Sequence, residues 1–181
     1  MEKPREMVDR LGPMLDRWRV SRPDLDFSPL EVVNRVLRGA HMIQTRLDRI
    51  AAAYGLSHRG DLETLIELDL VGPLTPSELA EDLLLTSGGM TVRLNRLQAA
   101  GLVERQPNPR DGRGVLVHLT SAGSDLARDS LGTLLDAQSA IVGALAQADQ
   151  SRLAKLLRSL LTELGDLPPF SPTIVAKPVE R

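Results

Sequence analysis

The side chains best able to do chemistry fall between Ser87 and Arg113. Their spacing predicts a helix over about 87–100, opened by Thr86 as N-cap and closed at Gly101. At about 100° per residue, Met90, Leu94 and Leu97 share one side. Gly88, Val92, Asn95, Arg96 and Ala99 lie opposite, with Thr91 and Arg93 flanking that face. These types suit a helix that enters a DNA major groove. Arginine bonds guanine bidentately and asparagine bonds adenine, so Arg96 and Asn95 are the best-placed readers of base edges. Ser87-Gly88-Gly89 leaves backbone N–H groups open to a phosphate oxygen at the helix start. Each glycine inside a helix costs about 1 kcal/mol, which close approach of the backbone to a ligand would explain. The same pattern also describes a buried helix pair with a solvated outer face.

The segment that follows changes period. Val115, Val117 and Leu119 alternate with Leu116 and His118, after a turn-rich stretch over 107–114. This predicts a β-hairpin with Arg110 and Arg113 at its tip. A tip arginine suits a narrow minor groove, where negative potential is enhanced. Asp111 would orient Arg113 through a charge-assisted bond. An ordinary polar turn is the plainer alternative.

Other elements must hold these residues in place. Thr75-Pro76-Ser77-Glu78 has the form of a capping box and opens a short helix over about 76–84. With the helix from 87 it makes a helix-turn-helix, and the hairpin supplies a wing. Before it, Ser28-Pro29-Leu30-Glu31 predicts a second capping box and a long helix to about Tyr54. Its apolar stripe is Val33, Val36, Leu37, Ala40, Leu47, Ile50, Ala51 and Tyr54. Ser57 is placed to cap a helix over about 58–69. Residues 5–20 have helical spacing, with a kink or break expected at Gly12-Pro13. Thr120 opens a long helix over about 121–146, and a leucine-rich helix follows over about 150–164. The tail 166–181 holds four prolines and reads as extended. The fold class expected is mainly α, with a small β-hairpin wing.

Composition narrows the function. The chain has 181 residues, 42% hydrophobic and 25% charged, as in globular proteins. Cysteine is absent, which excludes disulfides, thiol catalysis and Cys-ligated zinc. His41, His58 and His118 form no sequence cluster, so no metal site is expected. No nucleophile elbow, Walker loop, dinucleotide loop or HExxH occurs, so neither an enzyme nor a cofactor is expected. The net charge of −2 argues against a nucleic-acid binder, but its distribution argues for one. Residues 59–85 carry −6 and residues 86–118 carry +3. With no signal-peptide core and no apolar run long enough to span a membrane, a cytoplasmic location is expected.

The chain resembles the MarR family of bacterial winged-helix regulators. The matching strings are Leu74-Thr75-Pro76-Ser77-Glu78-Leu79-Ala80, Thr86-Ser87-Gly88-Gly89-Met90-Thr91 with Arg93-Leu94 and Arg96-Leu97, Gly101-Leu102-Val103-Glu104-Arg105, and Asp111-Gly112-Arg113-Gly114 leading to Val117-His118-Leu119-Thr120. The helix order agrees from about 29 to 165, and residues 1–28 resemble the N-terminal extension of a subset of the family.

The resemblance implies a homodimer that binds double-stranded DNA. Residues 29–57 and 120–165 would form a helical dimerisation region, and 58–119 the winged helix-turn-helix. It implies DNA contacts from Ser87, Gly88, Thr91, Val92, Arg93, Asn95, Arg96, Arg110, Asp111 and Arg113. It also implies a small-molecule effector, often aromatic, for which Trp18, His41 and Tyr54 are the candidate residues. The expected function is a ligand-responsive regulator, a repressor, on a pseudo-palindromic operator. The alternative is a winged-helix protein-interaction module or antirepressor that does not bind DNA.

Overall fold

A computed structural model describes residues 9–109 and 114–166. The expectations for Arg110, Asp111, Arg113 and the Pro-rich tail lie outside the described residues, as does the start of the first predicted helix. Seven helices and one hairpin follow in order among the described residues: α1 (Gly12–Ser21), α2 (Ser28–Ala53), α3 (Arg59–Val71), α4 (Pro76–Asp82), α5 (Ser87–Ala99), β1 (Val103–Pro107), β2 (Val115–Leu119), α6 (Ser121–Val142) and α7 (Gln147–Glu163). The chain divides into two compact units between Ala137 and Gln138, inside α6.

The helix starts show which caps local sequence could specify. Thr75 forms the expected capping box with Glu78, and the Thr86 hydroxyl accepts from Gly89 N at 3.1 Å. Thr120 accepts from Gly123 N at 3.1 Å, as expected for the start of α6. Ser28 does not cap α2. The Asp26 carboxylate takes that role, accepting from Ser28 N at 2.8 Å, while Glu31 turns sideways to Arg19 and Arg35. Ser57 does not cap α3 either: Asp48 of α2 accepts from Arg59 N at 2.8 Å. Gly12-Pro13 opens α1, so no helix runs through it among the described residues. Asp9 accepts from Leu11 N and Gly12 N, and proline fits the first turn, where its missing N–H costs nothing. The first helix of the helix-turn-helix ends earlier than predicted. Leu84 adopts a left-handed φ of 51°, which stops α4 at Asp82.

The core of the first unit is aliphatic. Leu62, Leu65, Leu79, Met90, Leu94, Leu97 and Val117 are all essentially buried. They join α3, α4, α5 and the hairpin into the winged-helix body. β1 and β2 pair antiparallel, with Val103 opposite Leu119 and Arg105 opposite Val117. Leu74 adds a single bridge to Val117, so the linker before α4 joins the sheet. The start of α6 packs very close to the start of β1. A Cβ at Gly123 would overlap the Leu102 carbonyl group, so only glycine fits there. Tyr54 fastens the end of α2 to α6, donating to the Asp129 carbonyl at 3.1 Å and lying 2.9 Å from the Thr133 hydroxyl.

Two apolar faces stay uncovered. In α2, Leu47 and Ala51 are buried, but Val33, Val36, Leu37 and Ala40 of the predicted stripe are exposed. In the second unit α7 has no buried residue, and Leu156 and Leu164 are 60% and 74% exposed. Gln150 secures the preceding turn by donating to the Val142 and Leu145 carbonyls.

Candidate nucleic-acid interface

α5 carries most of the predicted site. Met90, Leu94 and Leu97 are buried, as the helical spacing predicts. Ser87, Gly88, Thr91, Val92 and Asn95 are exposed. A Cβ at Gly88 would meet nothing within 4 Å, so packing within the described residues does not demand glycine there. The Thr91 hydroxyl donates to the Ser87 carbonyl, leaving its oxygen as an acceptor toward solvent.

Arg96 requires a correction in placement. The helical wheel puts it on the outer face, but its guanidinium turns to Asp61 on α3, at 2.9 and 2.5 Å. Asp61 is 1% exposed, and a carboxylate that deep needs a hydrogen-bonded cation. The pairing holds the Arg96 guanidinium above its usual range, with its hydrogen bond to the Asp61 carboxylate as the main cause. Arg93 lies one turn away and also turns inward, donating to the Thr64 hydroxyl at 3.2 Å. Thr64 in turn donates to the Gly60 carbonyl. Gly60 makes room, because a Cβ there would stand 2.6 Å from the Arg93 guanidinium carbon. Burial pulls Arg93 below the usual arginine range, partly offset by the charges of Asp61 and Glu63. Two rungs, Asp61–Arg96 and Thr64–Arg93, therefore fix α5 to α3. Both guanidinium groups are turned toward α3 and are half-buried.

A cation from the wing bonds the exposed amides of α5. Arg105 of β1 donates to Gln98 Oε1 at 2.6 Å and to Asn95 Oδ1 at 2.9 Å. Strand alternation explains its direction: Arg105 shares a face with buried Val103 and lies opposite buried Val117. Gly60, Asp61, Thr64, Gln98 and Arg105 were not predicted as site residues. Asp61 and Thr64 carried a faint signal, being polar residues on the face of α3 that includes Leu65 and Leu68.

The other candidates do not converge. Trp18 packs against Phe27, ring centroids 6.1 Å apart, and is 41% exposed. His41 is exposed midway along α2, and Tyr54 is committed to α6. No hydrogen bond or ring contact joins any two of them among the described residues. No group of three metal-ligating side chains occurs among the described residues, and no helix there is long and apolar enough to cross a membrane.

A two-helix reading head with a hairpin beside it and a long helix on either side defines a winged helix-turn-helix regulator. The MarR family model matches residues 54–114. The chain is 30% identical over 146 residues to the HTH-type transcriptional regulator PecS of Dickeya dadantii, covering 80% of this chain and 88% of that one. It superposes on AbsC, a MarR family regulator from Streptomyces coelicolor, with a TM-score of 0.72 and 21% identity, covering 79% of this chain and 98% of that one. A mutant MarR from E. coli, complexed with operator DNA, gives a TM-score of 0.67 and 27% identity over 75% of this chain and 97% of its own. The chain belongs to the MarR family of transcriptional regulators.

Proposed function

We propose that this protein is a ligand-responsive repressor that binds a pseudo-palindromic operator as a homodimer. The observation that carries the reading is the outer face of α5. Ser87, Gly88, Thr91, Val92 and Asn95 stand exposed there, while two arginines brace the helix from behind. A helix presented in this way fits a major groove. Arg110, Asp111 and Arg113 complete the surface in this reading, with the wing tip in the adjacent minor groove. That the MarR relative from E. coli was solved on operator DNA supports it.

The uncovered apolar faces support the dimer. Val33, Leu37 and Met42 on α2 are half or more exposed, and so are Leu156 on α7 and Leu164 just after it. A second copy would remove these surfaces from water at roughly 25 cal/mol per Å2. Residues 29–57 and 120–165 form the dimerisation region in this reading, 58–119 the DNA-binding domain, and 1–28 and 166–181 flanking segments. Two reading heads related by a two-fold axis then meet half-sites about one helical turn apart.

The effector is a small aromatic molecule. Trp18 is 41% exposed beside Phe27 and is the aromatic side chain offered for stacking in this reading. The molecule releases DNA by binding better to a dimer whose heads are misplaced for the operator spacing.

Fluorescence-anisotropy titration of the duplex upstream of the protein's own gene, at two salt concentrations and against random competitor DNA, tests the reading. Tight, competitor-resistant binding by a dimer is expected. Binding that competitor abolishes on every fragment recovered from a genome-wide selection would reject it in favour of a protein-interaction module.

A further inference from the structure

We infer that Arg105, on the wing strand, determines base specificity through α5 by fixing which end of the Asn95 and Gln98 amides faces the DNA. The inference rests on the proposal that α5 reads a major groove. An arginine side chain has only donors, so any amide bonded to it must turn its oxygen inward. Arg105 uses two separate guanidinium nitrogens, one for Gln98 Oε1 at 2.6 Å and one for Asn95 Oδ1 at 2.9 Å. Both amides are thereby locked in the same sense. Asn95 and Gln98 are exposed, so their NH2 groups are the ends left for a ligand.

The recognition chemistry follows from that orientation. In the major groove guanine offers N7 and O6 as acceptors, adenine offers N7, and thymine offers O4. Cytosine offers only its N4 donor there. An amide held with NH2 outward meets that donor with a donor. The locked amides therefore accept guanine, adenine or thymine at the contacted positions and reject cytosine. A free amide would flip and present its oxygen to cytosine at little cost. Val92 lies one turn before Asn95 and is 63% exposed, so it adds an apolar contact on the same face that suits a thymine methyl group.

Arg105 is thus a positioning residue, and base preference is the readout that separates this role from a phosphate contact. The full-length protein would select from a duplex library with a randomised core, and bound fragments would be sequenced. Wild type should disfavour cytosine roughly three- to tenfold at the positions under Asn95 and Gln98, the worth of about one hydrogen bond. Arg105→Met should bind those positions with that discrimination lost. Arg105→Lys keeps the charge but cannot hold two oxygens with a planar fork, so it should restore the salt dependence without the discrimination. Asn95→Asp keeps the bond to Arg105 but has no donor, and should shift its position toward cytosine. Thermal melting checks that each variant folds. If Arg105→Met lowers affinity equally for all sequences while base preferences stay as in wild type, the positioning role is overturned and the DNA-reading proposal stands. If wild type selects no sequence, the DNA-reading proposal falls and takes this inference with it.

Discussion

Replacing Arg96 by alanine should damage the fold more than it damages base recognition. Asp61 is 1% exposed and accepts two bonds from Arg96. Each bond to a charged group contributes about 1.5–3 kcal/mol. Losing both strands a carboxylate that cannot reach water, a change that costs about 3–5 kcal/mol. Two features soften the loss. Arg93 keeps a positive charge nearby, and Asp61 lies in the first turn of α3, where the helix dipole favours an anion. We therefore expect about 3 kcal/mol for Arg96→Ala. Asp61→Ala should cost less, about 1–2 kcal/mol, because the Arg96 side chain is 35% exposed and can turn outward. The double variant should be more stable than the sum of the two losses predicts, with a coupling of about 2 kcal/mol. Urea midpoints at one protein concentration, with unchanged slopes, measure all three, and the fixed concentration matters if the chain dimerises. In a melting experiment, 3 kcal/mol is about 6–12 °C for a chain of this length. A loss below about 0.5 kcal/mol, the usual range for a surface substitution, would refute the brace. If preference at one base pair vanished at the same time, Arg96 would be a base reader after all.

Other expectations use the same geometry. Gly60→Ala should expel the Arg93 guanidinium from its seat on α3. The helix gains about 1 kcal/mol in propensity, so stability should change little, while the freed cation steepens the salt dependence of DNA binding by about one unit. Gly88→Ala meets no atom within 4 Å. It should raise stability by up to about 1 kcal/mol yet weaken DNA binding if a phosphate approaches the backbone there, and unchanged affinity in anisotropy would remove that role. Glu67 has its carboxyl pushed up by burial, with the nearby charge of Asp82 adding to it. A carboxyl raised in the folded state loses stability as pH rises through the folded value, because the unfolded chain ionises first. Glu67→Gln should therefore stabilise at pH 7, with the gain gone below about pH 4, near the unfolded glutamate value. Paired urea titrations at the two pH values check the sign.

Local rules in the sequence were enough to specify much of this molecule. The capping box at Thr75, the caps at Thr86 and Thr120, and the buried trio Met90, Leu94 and Leu97 all follow from spacing and side-chain chemistry within one turn or two. The hairpin followed from a change of period and a run of turn residues, and the motif strings pointed to the family. Most of what escaped depends on residues far apart in the chain, and the rest on a competing side chain nearby. Ser28 and Ser57 lost their capping roles to Asp26 and Asp48, and for Ser57 the competitor comes from a preceding helix. Arg96 had a helical-wheel position on the outer face, but a wheel does not show what a neighbouring helix buries. Only packing brought the Asp61 carboxylate, 35 residues away in sequence, within reach. Arg105 likewise reached the Asn95 and Gln98 amides only when strand pairing set its alternation against α5. Long charged side chains can swing to either side of the element that carries them. Their direction is set by the partners the tertiary fold supplies, because a buried carboxylate or a pair of amides is stabilised far more by meeting a guanidinium than by any local preference of the helix or strand.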